Sequence, residues 1–279
     1  GYSATFTLSD AKTIVTSYPS NATNTIGLNK YVEGREIGEI WGLQTIGIAK
    51  SEEEMQAHLS SLPKGGQEAI GSKWSAGDIM YRDLNGDGKI SKGASTLDDH
   101  GDLKVIGNST PRYFFGIDLN ADWKGFDVRL FFQGVMKRDY WGKDNFCGYL
   151  FGARGDKDMW HARGLVEHQD YFRAQAIGID GHELPANLDA YYPRPVFKEG
   201  AKNQETQSRY LQDASYIRLK NFQLGYTGLT KCRVFVSGEN LWTGTSLSSL
   251  FDPETISGGN GGNAYPLSST WSFGLSLTL

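Results

Sequence analysis

Cysteine, histidine and surplus positive charge are all scarce in this sequence, and each scarcity closes a class of function. Two cysteines, Cys147 and Cys232, are too few for a disulfide scaffold or a cysteine zinc site. There are 5 histidines. His161 and His168 could share a helix face, but no HExxH pattern or third ligand accompanies them, so no metal or catalytic centre is expected there. A net charge of -4 argues against nucleic acid as a partner. No apolar run reaches the ~18 residues that a membrane helix needs. That gap leaves membrane barrels open, because their strands alternate and give no hydropathy peak. No pair of carboxylates converges as a glycosidase would require, and no enzyme is expected. The opening Gly1-Tyr-Ser-Ala is no signal peptide and reads as the interior of something longer.

Aromatics and glycine are plentiful instead. There are 14 Tyr, 14 Phe, 7 Trp and 35 Gly, a mixture that suits many strands with tight turns. The organising stretch is Thr270-Trp-Ser-Phe-Gly-Leu-Ser-Leu-Thr-Leu279. Its odd positions are all apolar and its even positions all small or polar. Side chains alternate across a strand, so one face is greasy and the other mild. That fits a barrel wall between lipid and a polar lumen. It also fits the last strand of a soluble sandwich, and this segment does not choose between them.

Similar alternation recurs upstream. Tyr2, Ala4, Phe6 and Leu8 share one face; Ser9-Asp10-Ala11-Lys12 interrupts as a bulge or turn, and Thr13 to Tyr18 resumes strand chemistry. Ile37 to Ile48 is β-like but broken by glycines. Ser51-Glu-Glu-Glu54 has capping-box spacing and predicts a short helix to about Leu62. Arg112 to Trp123 places Tyr113, Phe115, Ile117, Leu119, Ala121 and Trp123 on one face, with Phe114 the exception on the other. Lys124-Gly125 turns the chain, and Phe126, Val128, Leu130 and Phe132 face one way. Arg and Asp at mid-strand on the opposite face suit a wet lumen. Arg209 to Tyr226 reads as a long strand whose phase slips near Lys220-Asn221, which predicts a bulge. Cys232 falls on an apolar face and is expected to pack rather than react. Gly258 to Gly262 lacks the strand–helix context of a phosphate loop.

The sharpest local motif is Asp83-Leu-Asn85-Gly-Asp87-Gly88-Lys89-Ile90-Ser91. Side-chain oxygens of Asp83, Asn85 and Asp87, the Lys89 carbonyl and the Ser91 side chain match positions 1, 3, 5, 7 and 9 of a calcium loop, with Gly88 at the sharp turn. Position 12 should be acidic and is Ala94. Asp98, Asp99 or Asp102 could replace it only if the intervening residues loop out. The plainer alternative is an Asx-rich turn.

The turns at Lys124-Gly125 and Thr227–Thr230 are short, and the other connections are long. Following parity, every short turn falls on one edge of the sheet and every long loop on the other, as in outer-membrane barrels. About six membrane-length strands are present, whereas a barrel needs about eight or more to close. The chain is therefore expected to be part of a barrel.

Several stretches then carry a resemblance: Tyr31-Val-Glu-Gly34 with Ile40-Trp-Gly-Leu43, Gly77-Asp-Ile-Met-Tyr-Arg-Asp-Leu-Asn-Gly-Asp-Gly88, Ile106-Gly-Asn-Ser-Thr-Pro-Arg-Tyr113, Lys124-Gly-Phe-Asp-Val128 with Phe132-Gln-Gly134, Ala214-Ser-Tyr-Ile-Arg-Leu-Lys-Asn221, Leu224-Gly-Tyr226, Ser237-Gly-Glu-Asn-Leu241 and the closing strand. In that order the chain resembles the C-terminal part of a SusC/RagA-family TonB-dependent outer-membrane transporter. The resemblance implies an all-β fold: an antiparallel transmembrane β-barrel segment, the C-terminal strands of a barrel of roughly 22 strands, with long extracellular loops. Residues 1–279 would all be barrel portion. Residues 19–111, containing the calcium-like loop at 83–94, and residues 138–208 would be long extracellular loop regions. The N-terminal plug and TonB box would be absent. The resemblance further implies import of oligosaccharides or peptides with a SusD-like surface lipoprotein, driven by the TonB complex through that plug, in the outer membrane of a member of the Bacteroidota. Calcium is the one cofactor suggested. Leu279 departs from the aromatic residue with which such barrels end. The competing reading is a secreted β-rich glycan-binding or calcium-dependent adhesion module, although an adhesion module of the dockerin kind would want two copies of the Asp-x-Asn-x-Asp-Gly motif and only one exists.

Overall fold

The computed structural model describes residues 1–142, 166–179, 181–196, 200–229, 232–257 and 264–277. Cys147, His161, the 258–262 glycine run and Leu279 lie outside the described residues, as does the His168 side chain. In chain order the strands are β1 (Tyr2–Ser9), β2 (Glu39–Leu43), β3 (Thr45–Ile48), β4 (Ile79–Tyr81), β5 (Leu103–Asn108), β6 (Arg112–Trp123), β7 (Phe126–Lys137), β8 (Asp139–Tyr140), β9 (Ile177–Ile179), β10 (His182–Leu184), β11 (Gln212–Asp213), β12 (Tyr216–Leu229), β13 (Cys232–Thr245) and β14 (Thr270–Leu277), with one α-helix, α1 (Glu52–Ser60), between β3 and β4. Among the described residues the regular secondary structure is thus mostly strand, and no helix is long and apolar enough to cross a membrane. The chain divides into two compact units, one of Gly1–Thr13, Asn108–Tyr140 and Gln212–Leu279, the other of Ile14–Gly107 and Trp141–Leu211.

The first unit is built on a six-stranded antiparallel sheet in the order β1-β6-β7-β12-β13-β14. Its long strands follow directly from the alternating sequence. Directly opposed residues share a face, and one row reads Ala4, Leu119, Leu130, Phe222, Gly238 and Trp271 from edge to edge. The next row reads Tyr2, Ala121, Val128, Leu224, Val236 and Phe273. The whole face is apolar and largely uncovered: Phe273 is 84% exposed, Trp123 69% and Tyr2 92%. Monomeric soluble domains rarely leave apolar area on this scale open to water.

Turn chemistry sets the register. Lys124 (φ 48°) and Gly125 (φ 87°) form the two-residue β6–β7 turn, a conformation that matches the twist of a tight hairpin. Beside it the Phe126 and Tyr226 rings pack at 4.5 Å. The phase slip in β12 is a bulge between Leu219 and Asn221, where the sequence predicts one. Cys232 is a free, half-buried thiol opposite Leu277. Tyr2, Trp123, Phe126 and Leu277 all pair near the short-turn edge, so the connections 10–111, 138–215 and 246–269 all leave from the opposite edge.

The second unit has a core of its own around Trp41, Leu43, Met55, Ile79, Tyr81, Ile90, Tyr192 and Tyr210, all buried. Two small sheets, β2 with β5 and β3 with β4, line it. The helix is the one the capping box predicts: the Ser51 hydroxyl accepts a bond from the Glu54 N–H at 3.2 Å, and Met55 points into the core. Two expectations fail. Thr13 to Tyr18 forms only an isolated bridge, Ile14 with Glu36, because its β propensity meets no partner strand. The strand expected from Arg209 starts at Tyr216, since residues 208–210 make a 3-10 turn that buries Tyr210.

Candidate functional site

The polar face of the six-stranded sheet concentrates the charged groups of the first unit. The Asp118 carboxylate accepts two bonds from Arg129, at 3.1 and 2.6 Å, between β6 and β7. Asp127 on β7 accepts two from Arg233 on β13, at 3.1 and 2.6 Å, although β12 lies between those strands. Gly225 is the β12 residue under that bridge, and a Cβ there would collide with both partners. A cavity of about 470 Å³ opens beside these pairs at the short-turn end, lined in part by Asn120, Asp122, Arg129 and Gln223. Bidentate Arg–carboxylate pairs and amides make this face a wet, hydrogen-bonding wall.

At the opposite edge, residues 246–257 fold onto the ends of β12 and β13. Arg218, 4% exposed, donates to Asp252 at 2.8 Å and to the Thr243 hydroxyl at 2.7 Å. Lys220 donates to Glu254 at 2.9 Å. Burial raises the Asp252 pKa, but the Arg218 guanidinium and the Glu254 and Leu267 N–H groups together outweigh it, so the carboxyl stays below its ordinary value. Phe251 packs edge-on to Tyr140 at 5.0 Å, and Arg138 donates to the Pro253 carbonyl at 3.2 Å and to the Ser257 hydroxyl. This connection is thus held by three cations and an aromatic anchor.

In the second unit, Asp83, Asn85, Asp87, Lys89 and Ser91 lie along one arch of consecutive turns. Asp83 accepts bonds from the Gly86 and Gly88 N–H groups at 2.7 and 2.8 Å, Asn85 from Asp87 at 2.9 Å, and Asp87 from Lys89 at 3.1 Å. Gly88 has φ 80°, as the sharp turn demands, and Ile90 is fully buried. Among the three downstream acids, Asp102 is brought to the arch. It is fully buried and accepts bonds from the Leu84 and Ser91 N–H groups at 2.7 and 2.8 Å. Asp99 instead accepts from the Ala94 N–H at 3.0 Å. Among the described residues, no three His, Cys, Asp or Glu side chains group as a metal-ligand set. The donors that the arch offers are two carboxylates, one amide and backbone carbonyls.

The residue that organises this unit was not singled out from the sequence. Asp78 is fully buried and accepts from Lys202 Nζ at 2.8 Å, Arg194 Nε and Nη2 at 3.1 and 3.0 Å, and Asn203 Nδ2 at 3.0 Å. Lys202 Nζ also lies 4.7 Å from the Trp74 ring centroid. Burial alone would raise the Asp78 pKa, but these donors outweigh it and hold the carboxyl below its ordinary value.

No protein-family model matches the chain. TonB-dependent receptor P3 of Formosa agariphila is 29% identical over 234 residues, which is 80% of this chain and 19% of that protein. TonB-dependent receptor P26 of the same organism is 25% identical over 280 residues, 90% of this chain and 24% of that protein. The RagAB peptide transporter structure superimposes with a TM-score of 0.56 at 20% identity, covering 95% of this chain and 24% of that one. The chain is thus similar to one stretch of TonB-dependent receptors, and its fold is like that of the matching part of the RagAB structures. It spans about a quarter or less of the length of the curated relatives it matches. Against the RagAB importer in its open-open state the TM-score is again 0.56, over 100% of this chain and 26% of that one. In this chain the Asp118, Asp127 and Arg129 side chains and the arch lie on stretches that the sequence marked, whereas Phe251, Asp252 and Glu254 of the pinned connection were not singled out. The Asp78 hub draws on residues far apart in the chain.

Proposed function

We propose that this segment is barrel wall in an outer-membrane importer. The observation that carries the reading is the six-stranded sheet itself, with one face apolar and uncovered and the other lined by ion pairs, and with all long connections on one edge. A twelve-residue strand such as β6 rises ~40 Å along its axis, or ~30 Å across a bilayer when tilted by ~40°. The apolar face meets lipid and the ion-paired face meets the lumen. Residues 19–111 and 138–208 are long extracellular loop regions. Further strands of a longer chain, roughly 22 in all, close the barrel.

Import is powered by the TonB complex acting on a plug elsewhere in that chain, and a SusD-like surface lipoprotein covers the pore. The cargo is an oligosaccharide or a peptide. The receptor names of the relatives and the peptide transporter among the structural neighbours support this reading. The arch from Asp83 to Ser91 takes a calcium ion, using the Asp83, Asn85, Asp87 and Ser91 side chains and the Lys89 carbonyl. Its role is to stiffen the outer unit.

The deciding experiment is to isolate the native protein from its source and measure intact mass and membrane partitioning. A polypeptide far longer than 30.8 kDa, extracted from the outer membrane only by detergent, is expected. A water-soluble protein of 30.8 kDa would replace this reading with a secreted β-rich module.

A further inference from the structure

We propose that the second unit carries a binding site for a short aliphatic peptide with a free C-terminal carboxylate. The site is a cleft of about 320 Å³ between β3 and the 188–190 segment. That volume is at the small end for ligand sites and suits a dipeptide-sized group. The import reading above supplies the use of such a site, but the site stands on this unit alone.

Three observations converge on it. First, its floor is aliphatic: Ile46 and Leu188 are half exposed, and Met80 is buried beneath them. Among the described residues no aromatic side chain lines it, so the described surface favours an aliphatic group over a stacked ring. Second, the space over β3 is held open by glycine. Gly47 is opposed to Met80 in the β3–β4 pair, and a Cβ built on it would meet nothing within 4 Å. Its backbone is not in the left-handed region, so the missing side chain answers no conformational demand.

Third, a cation without an acid partner stands at the rim. Arg209 Nε donates to the Tyr191 carbonyl at 2.9 Å and Nη2 to the Ala190 carbonyl at 2.7 Å. Those bonds fix the plane of the guanidinium. Its Nη1 has no described partner, and no described carboxylate pairs with it. The other cation lining the cleft, Lys50, is already paired with Asp189, and the Glu54 carboxylate accepts the Lys50 N–H at 2.6 Å. One positioned, half-buried guanidinium beside an aliphatic trough is the recognition chemistry of a carboxylate carried next to an aliphatic side chain.

The test uses the full-length receptor in detergent, with the dipeptide Leu-Leu and its C-terminal amide as probes in calorimetry. Leu-Leu is expected to bind about tenfold or more tighter than the amide, the discrimination that charge-assisted hydrogen bonds provide. Arg209→Gln should abolish that preference. Gly47→Leu should fill the trough and abolish binding of both probes, with the thermal transition unchanged because the added side chain enters open space. If Arg209→Gln does not fold, Gly47→Leu and the acid–amide comparison decide. Equal binding of acid and amide, native-like binding by Gly47→Leu, or no binding of Leu-Leu by the native receptor would each overturn the proposal. Binding as expected in a receptor that proves to be water-soluble would instead sink the import reading and leave the site standing.

Discussion

Asp127 and Arg233 pair across an intervening strand. Their bidentate contact, 3.1 and 2.6 Å, passes over β12 at Gly225, where a Cβ would lie 2.5 Å from Asp127 Oδ1 and 2.6 Å from Arg233 Nη2. The pair therefore clips β7 to β13 on the polar face while β12 supplies the backbone between them. Gly225→Val should push the two side chains apart and lower the folded fraction of the protein, read as heat-modifiable mobility in detergent. Asp127→Asn should have a smaller effect, because the backbone ladder remains and solvent on that face screens the lost charge. Equal mobility of Gly225→Val and native protein would show that the clip is dispensable.

Adjacent β12 residues separate the two faces cleanly. Leu224 opposes Val128 and Val236 on the apolar face, while Gln223 opposes Arg129 and Ser237 on the polar one. If the apolar face meets lipid, Leu224→Arg should cost ~2–4 kcal/mol of folding stability in a bilayer. Gln223→Arg should cost much less. Urea titration of vesicle-folded protein measures both. Similar small losses in the two variants would mean that neither face touches lipid.

Much of the sheet is legible in the sequence because each long strand states its register locally. Lys124-Gly125 marks a turn, and the parity of Phe126, Val128 and Leu130 continues that of Ala121 and Leu119 across it. The bulge at Lys220 is visible as a change of parity. Thr13 to Tyr18 misleads, since β-rich composition cannot announce that no partner strand lies nearby. Arg209 misleads differently: its neighbours alternate like a strand, yet Tyr210 is buried in a 3-10 turn. The Asp78 hub leaves no local trace. Its partners Arg194, Lys202 and Asn203 lie more than a hundred residues downstream, and only the fold brings them together. Asp102 is intermediate, because its proximity to the Asp83 arch is readable but its choice over Asp98 and Asp99 depends on how 92–101 loops.

That hub should govern the stability of the second unit. Asp78→Asn keeps the shape but leaves Lys202, almost wholly buried, without its counter-charge. Breaking one side of a buried pair costs ~3–5 kcal/mol. Hydrogen exchange over residues 75–81 and 200–207 should accelerate accordingly, while exchange in β6 and β7 should not change. Uniform acceleration through the sheet would show that the hub is not local to this unit.

Acid should act on the same unit in two steps. Burial holds His58 below its ordinary 6.5, only partly opposed by its bond with Gln67, so the unfolded chain takes up this proton more readily. The stabilisation is complete above pH 6.5 and falls as the pH drops from there toward the folded value. Asp78 is depressed below its ordinary 3.8, so its contribution is intact above that and is lost on further acidification through the folded value. His58→Gln should remove the first step and keep the second. A first step that survives in His58→Gln would assign it to some other group.

Calcium is the remaining question that the Asp83 arch poses. The arch carries two carboxylates and an amide, while Asp102, one of the acids that could replace the missing twelfth-position acid, already accepts from Leu84 and Ser91. So few formal charges predict weak binding, with a dissociation constant of ~0.1–1 mM, the range of extracellular modules. Calorimetry on the full-length receptor should detect one such site, and Asp87→Ala should abolish it. The two roles open to Asp102 predict different outcomes for Asp102→Asn. If Asp102 only caps the arch, the variant should weaken the fold of residues 83–102 without calcium and be largely rescued by it. If Asp102 turns to ligate the ion, the affinity itself should fall by about tenfold or more, a charge-assisted contact being worth that much. Absence of calcium heat in the native protein would leave the arch as an Asx-capped turn whose hydrogen bonds are sufficient to hold it.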